Sequence, residues 1–169
     1  MQHSTFQHLS WILLPLFVVY AGLSAADTHK AAVEELVKTQ FLAWAEGDVE
    51  QFRETLHPDV TFAWPGKRFD FDGVVEAFEE WCDAFEDTEF DFYRMLVDGN
   101  DFALEYRFSS TRISTGARQS VGTVAIGEVR DGKIYVLKEY LDGRVSRMQE
   151  AGELPVDEGE IPFPWPDTP

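Results

Sequence analysis

The spacing of apolar residues changes once along this chain, near Thr88, and that change restricts the fold more than any other feature. Before it, apolar side chains recur at helical intervals; after it, they alternate. Residues 89–97, 102–113, 117–129 and 133–141 read as four strands. Asp98-Gly99-Asn100-Asp101, Ser114-Thr115-Gly116 and Asp131-Gly132 lie between them. Glycine and asparagine tolerate the positive φ of tight hairpins, so these are turns and the strands form an antiparallel meander.

Upstream, Val33, Leu36, Val37, Phe41 and Trp44 mark a helix over 29–46, stopped by Gly47. Asp48 is placed to cap a second helix, VEQFRETL, which Pro58 ends. A short strand over 60–64 runs into Pro65-Gly66, and Asp72-Gly73 opens a third helix over 74–86. The expected fold class is α+β: three N-terminal helices packed on a strongly curved, mostly antiparallel sheet, forming a cone with a pocket at its open end.

A chain of 169 residues, 44% hydrophobic and 14% aromatic, has material for one packed domain. Its 31 acidic against 14 basic side chains give a formal net charge of −17, which repels a phosphate backbone or an anionic bilayer, so neither nucleic acid nor a lipid surface is an expected partner. The single cysteine forms no internal disulfide. No zinc or calcium spacing and no glycine-rich phosphate loop occurs, so no metal and no cofactor is expected. The acidic residues around the third helix, from Asp70 to Asp91, read as a solvated face.

Three segments are expected. Residues 1–26 carry no Asp, Glu, Lys or Arg, and the apolar run WILLPLFVVYAGLSAA ends in small residues before Asp27. This reads as a secretory signal peptide, which makes the protein exported, periplasmic or secreted; an uncleaved N-terminal membrane anchor or a mis-assigned start are the alternatives. Residues 27–149 form the domain. Residues 150–169, with six acids, five prolines and no base, read as a poorly ordered tail whose Phe163 and Trp165 could dock on the domain or on a partner.

Three stretches carry a resemblance: AWAEGDVEQFRETLHPDVTF over 43–62, Phe71-Asp72-Gly73, and RDGKIYVLKEYLDGR over 130–144. With these, residues 29–148 resemble the nuclear transport factor 2-like superfamily, in particular SnoaL-like domains. The resemblance implies the cone fold. It leaves the activity open, because the superfamily includes polyketide cyclases, epoxide hydrolases, ketosteroid isomerases and non-catalytic pockets. Lys138-Glu139-Tyr140-Leu141-Asp142 is similar to the basic-acidic-Tyr-x-Asp run of limonene-epoxide hydrolases. Arg107-Phe108-Ser109 keeps the arginine of that family's Arg-x-Asp but not its aspartate, and its pocket Tyr and Asn have no counterpart in 62–66.

The resemblance makes Asp142 the candidate acid/base carboxylate, Arg107 the group that orients or neutralises an oxyanion, and Tyr140 a hydrogen-bond donor. Lys138 shares their parity, and Phe62 and Trp64 would form an aromatic pocket wall. Each has a plainer reading. Asp142 precedes glycine and fits a turn, Tyr140 fits a half-buried sheet position, and Phe62 and Trp64 fit ordinary core. Trp44, Phe78 and Trp81 read as packing only. Alternation puts Leu104, Tyr106 and Phe108 inward and Arg107 outward, whereas the resemblance puts Arg107 in the pocket. A homodimer through the sheet would bury both faces.

The expected function is binding of a small, largely apolar organic molecule, with room for cofactor-independent isomerase, cyclase, lyase or hydrolase chemistry. Whether the protein is an enzyme is not decided by its sequence. The alternative is a non-enzymatic exported interaction module using its acidic surface, its sheet face or its aromatic tail.

Overall fold

The structure, a computed structural model, describes residues 24–156. Residues 1–23 of the expected 1–26 signal peptide, and Phe163 and Trp165 with their expected docking role, lie outside the described residues. Helix α1 (Ala25–Glu46) begins four residues earlier than its apolar spacing indicates, because a capping box starts it. The Asp27 amide donates to Ser24 Oγ at 3.1 Å, and the Ser24 amide donates to Asp27 Oδ2 at 3.2 Å. Gly47, at φ 69°, ends the helix in the left-handed conformation.

Asp48 caps α2 (Val49–Thr55), accepting from the Gln51 amide at 3.0 Å, as expected. Strand β1 (Leu56–Trp64) runs through Pro65-Gly66 into a short strand, β2 (Lys67–Phe69). Helix α3 (Phe71–Ala84) is capped by Asp70, whose carboxylate accepts from the Gly73 amide at 3.0 Å, so it starts three residues before the expected 74. Four strands follow: β3 (Phe85–Asp98), β4 (Asp101–Arg112), β5 (Arg118–Arg130) and β6 (Lys133–Leu141). A fourth helix, α4 (Gly143–Glu150), occupies what reads in sequence as a turn and the start of the tail.

The six strands form one sheet in the order β2-β1-β6-β5-β4-β3. The meander is antiparallel throughout, and β1 joins it by pairing parallel with β6. Two bulges interrupt the register of β3, between Glu86 and Glu89 and between Phe92 and Arg94, and bulges of this kind bend an edge strand. Gly127 lets the sheet fold closely on itself: a Cβ there would lie 2.4 Å from the Phe102 ring and 2.3 Å from the Val136 carbonyl.

The core fills the concave side. Val33, Val37 and Phe41 of α1 share one buried cluster with Leu104 and Tyr106 of β4, the Phe41 and Tyr106 ring centroids lie 4.8 Å apart, and Phe52 of α2 stacks on Phe78 of α3 with ring centroids 4.5 Å apart. Burying a ring of this size contributes roughly 1.5–3 kcal/mol. The result is an α+β cone with four helices rather than the three expected.

Candidate active site

Strand β6 sets the site. Leu137, Glu139 and Leu141 share one parity and pair with Gly127, Ala125 and Thr123 of β5. Leu137 is fully buried, which makes this face of the strand the inner one. Glu139 therefore sits on the concave side among apolar neighbours, lining a cavity of about 300 Å³ between sheet and helices. Eight of the fourteen lining residues are aromatic, so the interior suits an apolar, planar guest.

Two strands away, on β4, Tyr106 is fully buried and its hydroxyl donates to Glu139 Oε1. Burial raises the Glu139 carboxyl from the ordinary glutamate value to about 7, and the Tyr106 bond pulls in the opposite direction. Burial, then the neighbouring Glu139 charge, pushes the Tyr106 hydroxyl well above its ordinary range. Tyr106 thus stays a proton donor, which fixes Glu139 as the acceptor and the group that changes charge near neutral pH. Glu139 remains half-buried because the cavity itself gives it accessible surface.

Two other polar features face the cavity. Gln40, on α1, is 1% exposed and its Oε1 has no partner among the described residues. An orphaned buried amide oxygen is costly, and a bound ligand or water relieves it. Where β4 ends, Arg112, Gln119 and Ser146 form a polar rim. Arg112 lies 4.7 Å over the Phe85 ring and donates from Nε to Glu150 Oε1 at 3.1 Å.

Helix α4 completes this rim. Beyond the last β5–β6 pair, Thr123 with Leu141, the backbone of Ser120 is taken up by the Gln149 side chain. The Ser120 amide donates to Gln149 Oε1, and Gln149 Nε2 donates to the Ser120 carbonyl, both at 2.9 Å. A single buried side-chain amide thereby replaces the missing strand, and Ser146 is brought to the cavity wall.

The structure places Phe62 and Trp64 on the cavity wall, together with Trp44 and Trp81. It places the other four candidates elsewhere. Tyr140 is 58% exposed and Lys138 is exposed, because the Leu137–Leu141 parity turns both to the convex side. Arg107 also faces outward, pairing across strands with Asp91 through bonds of 3.0 and 2.5 Å. This is the outcome that simple alternation indicates. Asp142 follows the end of β6 and caps α4, accepting from the Arg144 amide at 3.0 Å and pairing with the Arg144 guanidinium. Those bonds lower its carboxyl to about 2, the opposite of what a base needs. The residues missed in sequence are Glu139, Tyr106, Gln40 and Arg112. For Glu139 a signal existed: leucines stand two residues to either side of it.

Residues 37–137 match the SnoaL-like domain. The chain belongs to that family. Solved structures agree in fold. A limonene-epoxide-hydrolase-like epoxide hydrolase from Mycobacterium tuberculosis superposes with a TM-score of 0.65 at 16% identity, over 73% of this chain and 92% of that one. TsrD from Streptomyces laurentii gives 0.64 at 23% identity, over 74% and 98%. IdmH from Streptomyces antibioticus, described as a candidate polyketide cyclase, gives 0.63 at 19% identity, over 70% and 98%. No curated protein sequence matches. Identities this low speak for the SnoaL-like fold and not for a shared reaction.

Proposed function

We propose that this SnoaL-like protein binds a largely apolar organic molecule in the cavity and exchanges a proton with it at Glu139. The observation that carries the reading is a carboxyl on an aromatic cavity wall, raised to about 7 and held by the buried Tyr106 hydroxyl. A base that must take a proton from carbon works best when its pKa lies near the working pH. Glu139, ionised, removes a proton beside a carbonyl; the electron pair moves onto the carbonyl oxygen as an enolate. The protonated Glu139 then returns the proton at another position. Such a step needs no cofactor. Gln40 supplies an amide on the same cavity wall, and Phe62 and Trp64 hold the guest by apolar contact. In this reading Asp142 keeps α4 in place and takes no part in the proton transfer.

The test is turnover of a panel of enolisable ketones and epoxides by Glu139→Gln and Asp142→Asn. Loss of about 100-fold or more in the first variant alone is expected. Turnover that survives Glu139→Gln, or that vanishes in Asp142→Asn, overturns the assignment.

We also propose a homodimer through the convex sheet face, where Leu96 of β3, Val124 and Ile126 of β5 and Tyr140 of β6 lie exposed. Light scattering should give twice the chain mass, and Ile126→Glu should give the monomer. A patch that instead holds a different protein in a stable complex favours the interaction-module reading. Among the described residues no helix is long and apolar enough to cross a membrane. Export is a further proposal, with cleavage before Asp27; that cut would remove Ser24 and with it the α1 capping box. The intact mass of the exported chain checks it.

A further inference from the structure

We propose that the cavity's ligand is an aromatic carboxylate whose anionic end is received by Arg112 in place of Glu150. This deepens the cavity reading above and rests on it. Arg112 is the one cation among the described lining residues, in a chain whose net charge is −17. A guanidinium facing a wall of rings is a specific handle for an anion that the acidic surface otherwise repels.

Its present partner is an internal carboxylate. Glu150 ends α4 and reaches Arg112 through Nε at 3.1 Å. The two side chains are 38% and 44% exposed, so water screens the pair and it is weak. Glu150 also borders a narrow space that shares Phe85, Arg112, Gln119 and Ser146 with the main cavity. A ligand carboxylate entering along the aromatic wall would meet the same guanidinium, less screened, and could take both parallel bonds of its fork. Gln119 and Ser146 stand at that rim to accept or donate further bonds. Docking of α4 would survive the exchange, because the Gln149–Ser120 bonds hold it independently.

The opposite pole is Glu139 with Gln40. Tyr106, which holds Glu139, and Arg112 are six residues apart on β4, about 20 Å along an extended strand and less on a curved one. The guest is then a multi-ring acid, with its carboxylate at Arg112 and its length running along the rings toward Glu139, and a two-ring probe reports on the Arg112 end.

The probe pair is 2-naphthoate and its methyl ester, followed by quenching of the cavity tryptophans and by calorimetry at about pH 6. Wild-type protein should hold the acid at least about fivefold more tightly than the ester. Arg112→Gln should erase that preference, bringing the acid down to the ester's affinity. Glu150→Gln should tighten the acid alone, by up to about fivefold, the most a screened pair withholds. Equal binding of acid and ester by the wild type, or a preference that survives Arg112→Gln, overturns the carboxylate assignment while the cavity reading stands. Failure of both probes to bind removes the cavity reading and this inference with it. Should Arg112→Gln fold poorly, Glu150→Gln decides: no tightening of the acid overturns the proposal.

Discussion

Glu139 and Asp142 are carboxylates three residues apart, and the fold treats them oppositely. Glu139 lies on the inner face of β6, where burial lifts its carboxyl to about 7. Asp142 lies just past the strand end, where the Arg144 guanidinium and amide lower it to about 2. One is destabilised as an anion by burial; the other caps a helix and is stabilised as an anion by the bonds it accepts there. The carboxyl chemistry is the same in both; the surroundings differ, local for Asp142 and assembled from distant segments for Glu139. The contrast arises because one side chain meets rings and the other meets a guanidinium at a helix start.

The largest expected effect separates the two on activity: Glu139→Gln should lower proton-transfer turnover about 100-fold, and Asp142→Asn should leave it within about twofold. The wild-type rate at limiting substrate should rise with an apparent pKa near 7, as Glu139 ionises.

The next effect is on stability. A group raised in the folded state favours folding below its unfolded pKa and ceases to do so as pH rises through the folded one. Glu139 should therefore reduce stability between about pH 4.5 and 7, by up to about 3 kcal/mol, a loss read by urea unfolding and absent in Glu139→Gln. Asp142 has the reverse sign: its contribution is present above about pH 4 and disappears as pH falls through about 2.

Tyr106→Phe sharpens the inner half of the comparison. Removing the donor takes away the bond that favours ionised Glu139, so the activity profile should move to higher pH, and stability should fall by about 1–2 kcal/mol. The smallest effect belongs to Asp142→Ala, which should fray α4 and speed amide exchange at its first turn with little change elsewhere. A large global loss in that variant would mean that the cap and the cavity are coupled.

Much of the cone is legible in the chain because it rests on local chemistry. Gly47 and Asp48 punctuate α1 and α2 where their backbone needs require. Alternation through Leu104, Tyr106 and Phe108 identifies the inner face of β4 and sends Arg107 outward. In β6 the same rule is ambiguous, since Val136 and Tyr140 are as apolar a pair as Leu137 and Leu141. Motif similarity favoured the face that turns out to be convex. Helix α4 was hidden for a related reason: Asp142-Gly143 fits a turn as well as a helix start, and only the Gln149 clamp on Ser120 makes the helix pay off in buried hydrogen bonds.

What the amino-acid order determined alone is the succession of helices and strands, the antiparallel meander and the supply of aromatic rings, all consequences of interactions a few residues long. What the tertiary structure decided is the parallel seating of β1 on β6, the parity that faces the helices, and which acid is destabilised as an anion. A raised carboxyl requires several distant segments to exclude water from it at once, and that condition exists only after the chain has closed.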